Sequence, residues 1–183
     1  MRLVTILSTC TALVLLSGPA PALEKGGPVV AVGQSSKNPD KDFTTYAVGW
    51  RFLLPPPVSF DALGERLGGQ LDLFVEPLFG IITGDADTVE FSVVPMVHYR
   101  HRRDQDWAAF VEGGLGLAYS DLRGVNLGSR IHFASQASAG LAHTGQSGRR
   151  VSVGLRVRHI SHAGLWADAN SGFNTEYLVV SFD

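Results

Sequence analysis

The stretch VSVGLRVRHISH, residues 151–162, alternates without a break: Val151, Val153, Leu155 and Val157 take one parity, and Ser152, Gly154, Arg156 and Arg158 take the other. Side chains of an extended chain point to opposite faces in turn, so this alternation describes a strand with one apolar and one polar face. The apolar parity then runs directly into His159 and Ser161. An imidazole and a hydroxyl on the greasy side of a strand need a reason.

Segments with the same signature occur along the chain. In TTYAVGWRF, residues 44–52, Tyr46, Val48, Trp50 and Phe52 oppose Thr45, Ala47, Gly49 and Arg51. In QLDLFVEP, residues 70–77, Leu71, Leu73 and Val75 oppose Asp72 and Glu76, and in VEFSVVPMVHYR, residues 89–100, Val89, Phe91, Val93, Val97 and Tyr99 oppose Glu90, Ser92, His98 and Arg100. Pro95 is expected to weaken that strand locally, because it has no N–H for the ladder. WAAFVEGGLGLAY (107–119), IHFASQASAGLAH (131–143), NTEYLVVSF (174–182) and a first segment near PVVAVGQ (28–34) complete a set of eight strands. Turn-rich joints such as SSKNPDKD, TGDAD, HRRDQD, DLRGVNLGS, HTGQSGR and ADANSGF separate them. The joint LPPPVSFDALGERLGG contains GERLGG, a short helix or a plain turn, for which a solvated loop is the favoured reading.

The amino terminus places these strands outside the cytoplasm. A basic MR start, the apolar run LVTILSTCTALVLLSG and an APA site at 20–22 have the form of a secretory signal peptide over residues 1–22, leaving one domain over residues 23–183. The single cysteine, Cys10, would leave with the leader, so no disulfide is expected. Reading LSTC, residues 7–10, as a lipoprotein site would cut the apolar run short and leave its remainder unexplained. The formal net charge of −2 excludes the basic footprint of a nucleic-acid binder. Beyond the leader, no run reaches the roughly 18 apolar residues of a spanning helix.

An even number of short antiparallel strands on a secreted chain, with Phe182 one residue from the end, predicts an all-β, eight-stranded antiparallel outer-membrane β-barrel. A soluble barrel or sandwich would turn the bulky apolar parity inward. The polar parity opposes that alternative: Glu76, Glu90, Glu112, Gln136, Arg156 and Arg158 all lie opposite the bulky sets, and inside a narrow barrel they would pair with one another.

His159 and Ser161 would then project toward lipid. Residues two apart on a strand lie about 6.5–7 Å apart at their α carbons, close enough for an imidazole to lean onto a hydroxyl. A serine needs such a base to become a nucleophile, and the level of lipid ester bonds is where this pair would act. The His-x-x-His pairs His98/His101 and His159/His162 send their rings to opposite faces, which argues against a shared metal. The basic HRR at 101–103 could meet lipid phosphates, with a solvated loop the favoured reading.

The run HISHAGLWADANSGFN, residues 159–174, resembles the signature of the PagL-type lipid A deacylase family, with a His-x-Ser start and an Asn-x-Gly element before the last strand. Outside this run the resemblance rests on strand number and motifs such as FVEGGLGL, residues 110–117. It implies an outer-membrane esterase that removes the ester-linked acyl chain at the 3 position of lipid A, or of whole lipopolysaccharide, without metal or other cofactor. By the same resemblance His159 is the general base, Ser161 the nucleophile and Asn170 the asparagine of the oxyanion element.

The chain also departs from the family pattern. His162 stands where the family has asparagine, so it joins Asn170 and Asn174 as a candidate oxyanion or orienting group. The family's triad glutamate falls at Asn174. Glu176, on the same parity, is the favoured acid, and Asp168 in the preceding loop is a third candidate. These departures keep an alternative in view: a non-catalytic outer-membrane barrel, structural or adhesive, that kept the scaffold. A soluble lipid-binding barrel of the periplasm is a more distant one. The sequence leaves open whether the barrel pairs with a second copy as a homodimer.

Overall fold

The computed structural model describes residues 24–36, 42–101, 106–122, 127–165 and 172–183. The leader read over residues 1–22 lies outside them, as do Asp168 and Asn170. The strands are β1 (Glu24–Ser35), β2 (Phe43–Leu54), β3 (Gly69–Gly84), β4 (Thr88–His101), β5 (Trp107–Ser120), β6 (Ile131–Thr144), β7 (Arg150–Ser161) and β8 (Phe173–Phe182). Each pairs antiparallel with its neighbour in sequence, and β8 returns to β1, closing an eight-stranded barrel. Closure leaves no unpaired sheet edge, the condition for strands to cross hydrocarbon.

Burial follows the sequence parity. Along β7 the exposure pattern alternates through its whole length, with Leu155 and Val157 standing 71% and 59% exposed on the outside while Arg156 and Arg158 are buried. The outer wall carries Val48, Val93, Val111, Leu117, Leu141, Val153 and Leu178, a continuous apolar band. Aromatic side chains fringe it at both ends: Tyr46, Phe91 and Tyr119 toward one rim, Trp50, Trp107 and Phe182 toward the other. Such girdles mark the two membrane interfaces.

Inside, the charges predicted to face one another do so. Glu76 accepts from Arg51 Nε at 3.0 Å and from Arg156 Nη1 at 2.5 Å, and Glu112 accepts from Arg51 Nη2 at 3.0 Å and Arg156 Nη2 at 2.9 Å. Two guanidiniums and two carboxylates thus alternate in a closed ring across the lumen. Gln136 Nε2 donates to Glu76 at 3.3 Å, and His98 Nδ1 lies 3.1 Å from Glu112. Arg158, beside His159, pairs with Glu90 of β4. Gly140 and Gly154, paired across β6 and β7, leave room for the Phe110 ring stacked on His98; a Cβ at either would stand 2.8 Å from a ring carbon. Toward the rim that carries the β7–β8 connection the lumen turns apolar, with Phe43, Ile82, Leu127, Ile160 and Phe173 packed together.

Two features extend the sequence reading. β3 continues past Pro77 to Gly84, and β4 passes through Pro95 without breaking. Each proline interrupts one ladder: pairing skips from Gly49↔Leu78 to Phe52↔Val75 and from Val93↔Leu117 to Met96↔Gly114, and the register is the same on both sides. The missing N–H thus costs pairs, not alignment. The β2–β3 joint resolves into a helix, α1 (Val58–Arg66), entered from Pro57, with Asp61 in its first turn and Arg66 in its last. It packs on the outside of β3, where Leu71 is buried despite its outward parity and the Tyr99 hydroxyl donates to the Leu67 carbonyl at 2.6 Å.

Removing one carboxylate from the interior ring leaves guanidinium charge without a partner. Glu76→Ala is expected to lower barrel stability by about 3–5 kcal/mol, read as a lower midpoint in urea unfolding followed by heat-modifiable gel migration.

Candidate active site

Four adjacent strands, β6, β7, β8 and β1, supply the site. On β7 the inward neighbours of His159 hold the backbone in place: Arg158 by its pair with Glu90, and Ile160 by burial in the apolar end of the lumen. His159 and Ser161, partly buried, share the outward parity of Val157 and Leu155. Both therefore stand on the lipid-facing wall, at the rim opposite the two ends of the described chain.

The antiparallel register of β7 and β8 sets His159 directly opposite Asn174, and Val157 opposite Glu176. The imidazole Nδ1 lies 2.5 Å from Asn174 Oδ1. An amide oxygen only accepts, so Nδ1 carries a proton, and in the neutral form of the ring the lone pair falls on Nε2. Asn174, whose backbone carbonyl in turn accepts from Ser36 N at 3.2 Å, is thus the group that orients the ring. Glu176, favoured from sequence for that role, stands one outward position further along β8, exposed on the wall. Both line a depression of about 380 Å³ together with Ser135, Ala137, Val157 and His159. Ser135 of β6 pairs with His159 from the other side, and Phe133 pairs with Ser161.

His162 points away from this wall. It is fully buried, with the inward parity of Ile160, and lies close to the equally buried His132. Directly after it comes a tight turn, His162–Leu165, closed by Leu165 N donating to the His162 carbonyl at 3.0 Å. Its two central residues, Ala163 (φ 54°) and Gly164 (φ 73°), are both left-handed. That is ordinary for glycine and costs roughly 1 kcal/mol or more for alanine. Strain therefore sits two residues beyond the hydroxyl. Of the residues singled out from sequence, the fold brings His159, Ser161, Asn174 and Glu176 onto one face and sets His162 apart; Asn170 and Asp168 lie outside the described residues.

Sequence reading missed Ser135 and Gln34. Gln34 is the β1 residue opposite Glu176 and is exposed on the same wall. The signal was present in β6, where the outward parity of FASQASAG falls to small residues, but a run of small residues does not reveal what stands beside it.

Comparison with known proteins bears on the family and the barrel fold. The family model for lipid A 3-O-deacylase (PagL) matches residues 44–183. The outer membrane enzyme PagL, known from a crystal structure, superposes with a TM-score of 0.67 at 24% identity, over 85% of this chain and 97% of that one. Neisserial surface protein A superposes with a TM-score of 0.49 at 11% identity, over 85% and 92% of the two chains. No curated protein matches significantly in sequence. With the family match spanning most of the chain on a closed barrel with a lipid-facing wall, this is a bacterial outer-membrane protein that belongs to the PagL family of lipid A deacylases.

Proposed function

We propose that the chain hydrolyses the ester at the 3 position of lipid A, with Ser161 as nucleophile and His159 as general base. Ser161 Oγ attacks the acyl carbonyl while its proton passes to His159 Nε2. The ester C–O bond then breaks, and the same proton returns to the departing sugar hydroxyl. Water, activated by His159 in the reverse sense, attacks the acyl-serine, releases the fatty acid and restores the hydroxyl. Asn170 is the candidate donor to the oxyanion, as its resemblance to the family's Asn-x-Gly element suggests.

The observation that carries this reading is the contact of His159 Nδ1 with Asn174 Oδ1 on the lipid-facing wall, since it selects the tautomer a base toward Ser161 requires. The departure from the family also has a direction. A neutral amide fixes the ring but adds no charge to stabilise the imidazolium formed in the transition state, so catalysis with Asn174 is slower than with a carboxylate there.

Two measurements check the proposal. In cells expressing the wild type, the lipid A mass spectrum should lose one ester-linked hydroxyacyl chain, and with Ser161→Ala that chain should stay. An unchanged spectrum with the wild type would instead favour the alternative of a scaffold without catalysis. Asn174→Glu should raise kcat by about tenfold, the difference between a neutral and a charge-assisted hydrogen bond to the ring, whereas Asn174→Leu should lower it and scramble the imidazole tautomers seen in the 15N spectrum of the folded barrel.

A further inference from the structure

Among the described residues, the outward parity of the eight strands from Pro28 to Phe182 holds one Asp, Glu, Lys or Arg: Glu176. Every other acidic or basic strand side chain on that span turns to the lumen or stands at an end of a strand. The other polar residues of the outer wall near it are Gln34, Ser135, His159, Ser161 and Asn174. Glu176 is thus the charged member of a polar island set in an apolar band.

Its level on the wall differs from that of the catalytic pair. β8 descends from Phe173 at the loop end to Phe182 at the end shared with the amino-terminal strand's start, so Glu176 lies below Asn174 by two residues, about 7 Å along the strand. In the pairing ladder it shares a rung with Val157, which is 59% exposed, and with Gln34. A carboxyl group facing hydrocarbon at this level costs free energy without returning any to the barrel, and the ring nitrogen that would have used it is held by Asn174.

We infer that Glu176 is a substrate-positioning residue, which with Gln34 accepts a hydrogen bond from an O–H or N–H donor of the lipid lying just below the ester that Ser161 attacks. This rests on the proposed ester hydrolysis for the position of that ester. The chemistry of the donor follows from where the carboxyl group sits. Below the ester level a lipid offers hydrogen only from a hydroxyl on an acyl chain or from an amide that links a neighbouring chain to the sugar. A plain diacylglycerol ester has neither. Glu176 therefore selects acyl-sugar lipids bearing such a donor over ordinary phospholipids, which share the ester but would leave the carboxyl group unmatched in hydrocarbon.

The test uses the full barrel in detergent micelles and three lipids with the same scissile ester: one with both a 3-hydroxyl on the ester-linked chain and a neighbouring amide, one lacking the hydroxyl, and one lacking the amide. For the first lipid, Glu176→Leu should raise KM about tenfold and leave kcat within about twofold. For whichever analogue lacks the donor that Glu176 holds, the substitution should change nothing, which tells hydroxyl from amide. Leucine matches its neighbour Leu178 on the lipid face, so heat-modifiable migration should report an intact barrel. Binding of the first lipid to Ser161→Ala, compared with Ser161→Ala/Glu176→Leu, should weaken by the same factor and does not require turnover. Unchanged KM and unchanged binding would overturn the inference while leaving hydrolysis intact. An equal fall in kcat on all three lipids would overturn it by placing Glu176 in the proton relay. An inactive wild type whose lipid binding still depends on Glu176 would sink the hydrolytic reading and keep the subsite.

Discussion

Two arginines and two glutamates in the lumen must satisfy one another, because a barrel this narrow has no room to solvate them. Arg51 and Arg156 each reach both Glu76 and Glu112, and the four residues come from β2, β3, β5 and β7. A guanidinium with planar, forked donors suits such bridging in a way an ammonium does not. The ring ties opposite walls together and commits the parity of each contributing strand. Once Arg156 faces inward, Leu155 and Val157 face lipid, and so must His159.

The outer wall works under the opposite constraint. Hydrocarbon rewards apolar side chains and penalises polar ones, so a polar group there persists only where something other than folding requires it. Ser161, His159, Asn174, Glu176, Gln34 and Ser135 collect on four adjacent strands at one rim, in place of the valines and leucines found elsewhere on the band. The small side chains of Ser135 and Ala137 open a depression there. The inner side of the same strands is packed with Ile160, Phe173 and the Arg158–Glu90 pair, so the site stands on a rigid base. A hydroxyl and an imidazole held this way face a lipid where it lies in the membrane.

In the mechanism proposed, the group that orients the imidazole is an amide where a serine triad ordinarily has a carboxylate. Asn174 supplies geometry and not charge. In the proposed mechanism the surrounding dipoles then stabilise the imidazolium, and the carboxyl group of Glu176 is left for the contact with substrate inferred above. The strained turn at Ala163 and Gly164 ends the strand directly beyond this site: alternation takes the chain from the outward Ser161 to the buried His162, and the turn follows at once.

Alternation in the sequence determined the architecture and the side on which each residue stands, because a period of two follows from the extended backbone alone and the polar parity held charges that only a closed interior could pair. It also located His159 and Ser161, since two residues on one strand share a face whatever the strand packs against. The partner of His159 was beyond its reach. Asn174 and Glu176 have the same parity and differ by a register step of two, which leaves every inside and outside assignment unchanged. Only the hydrogen-bonded ladder between β7 and β8 decided that the amide faces the ring and the carboxylate faces the lipid.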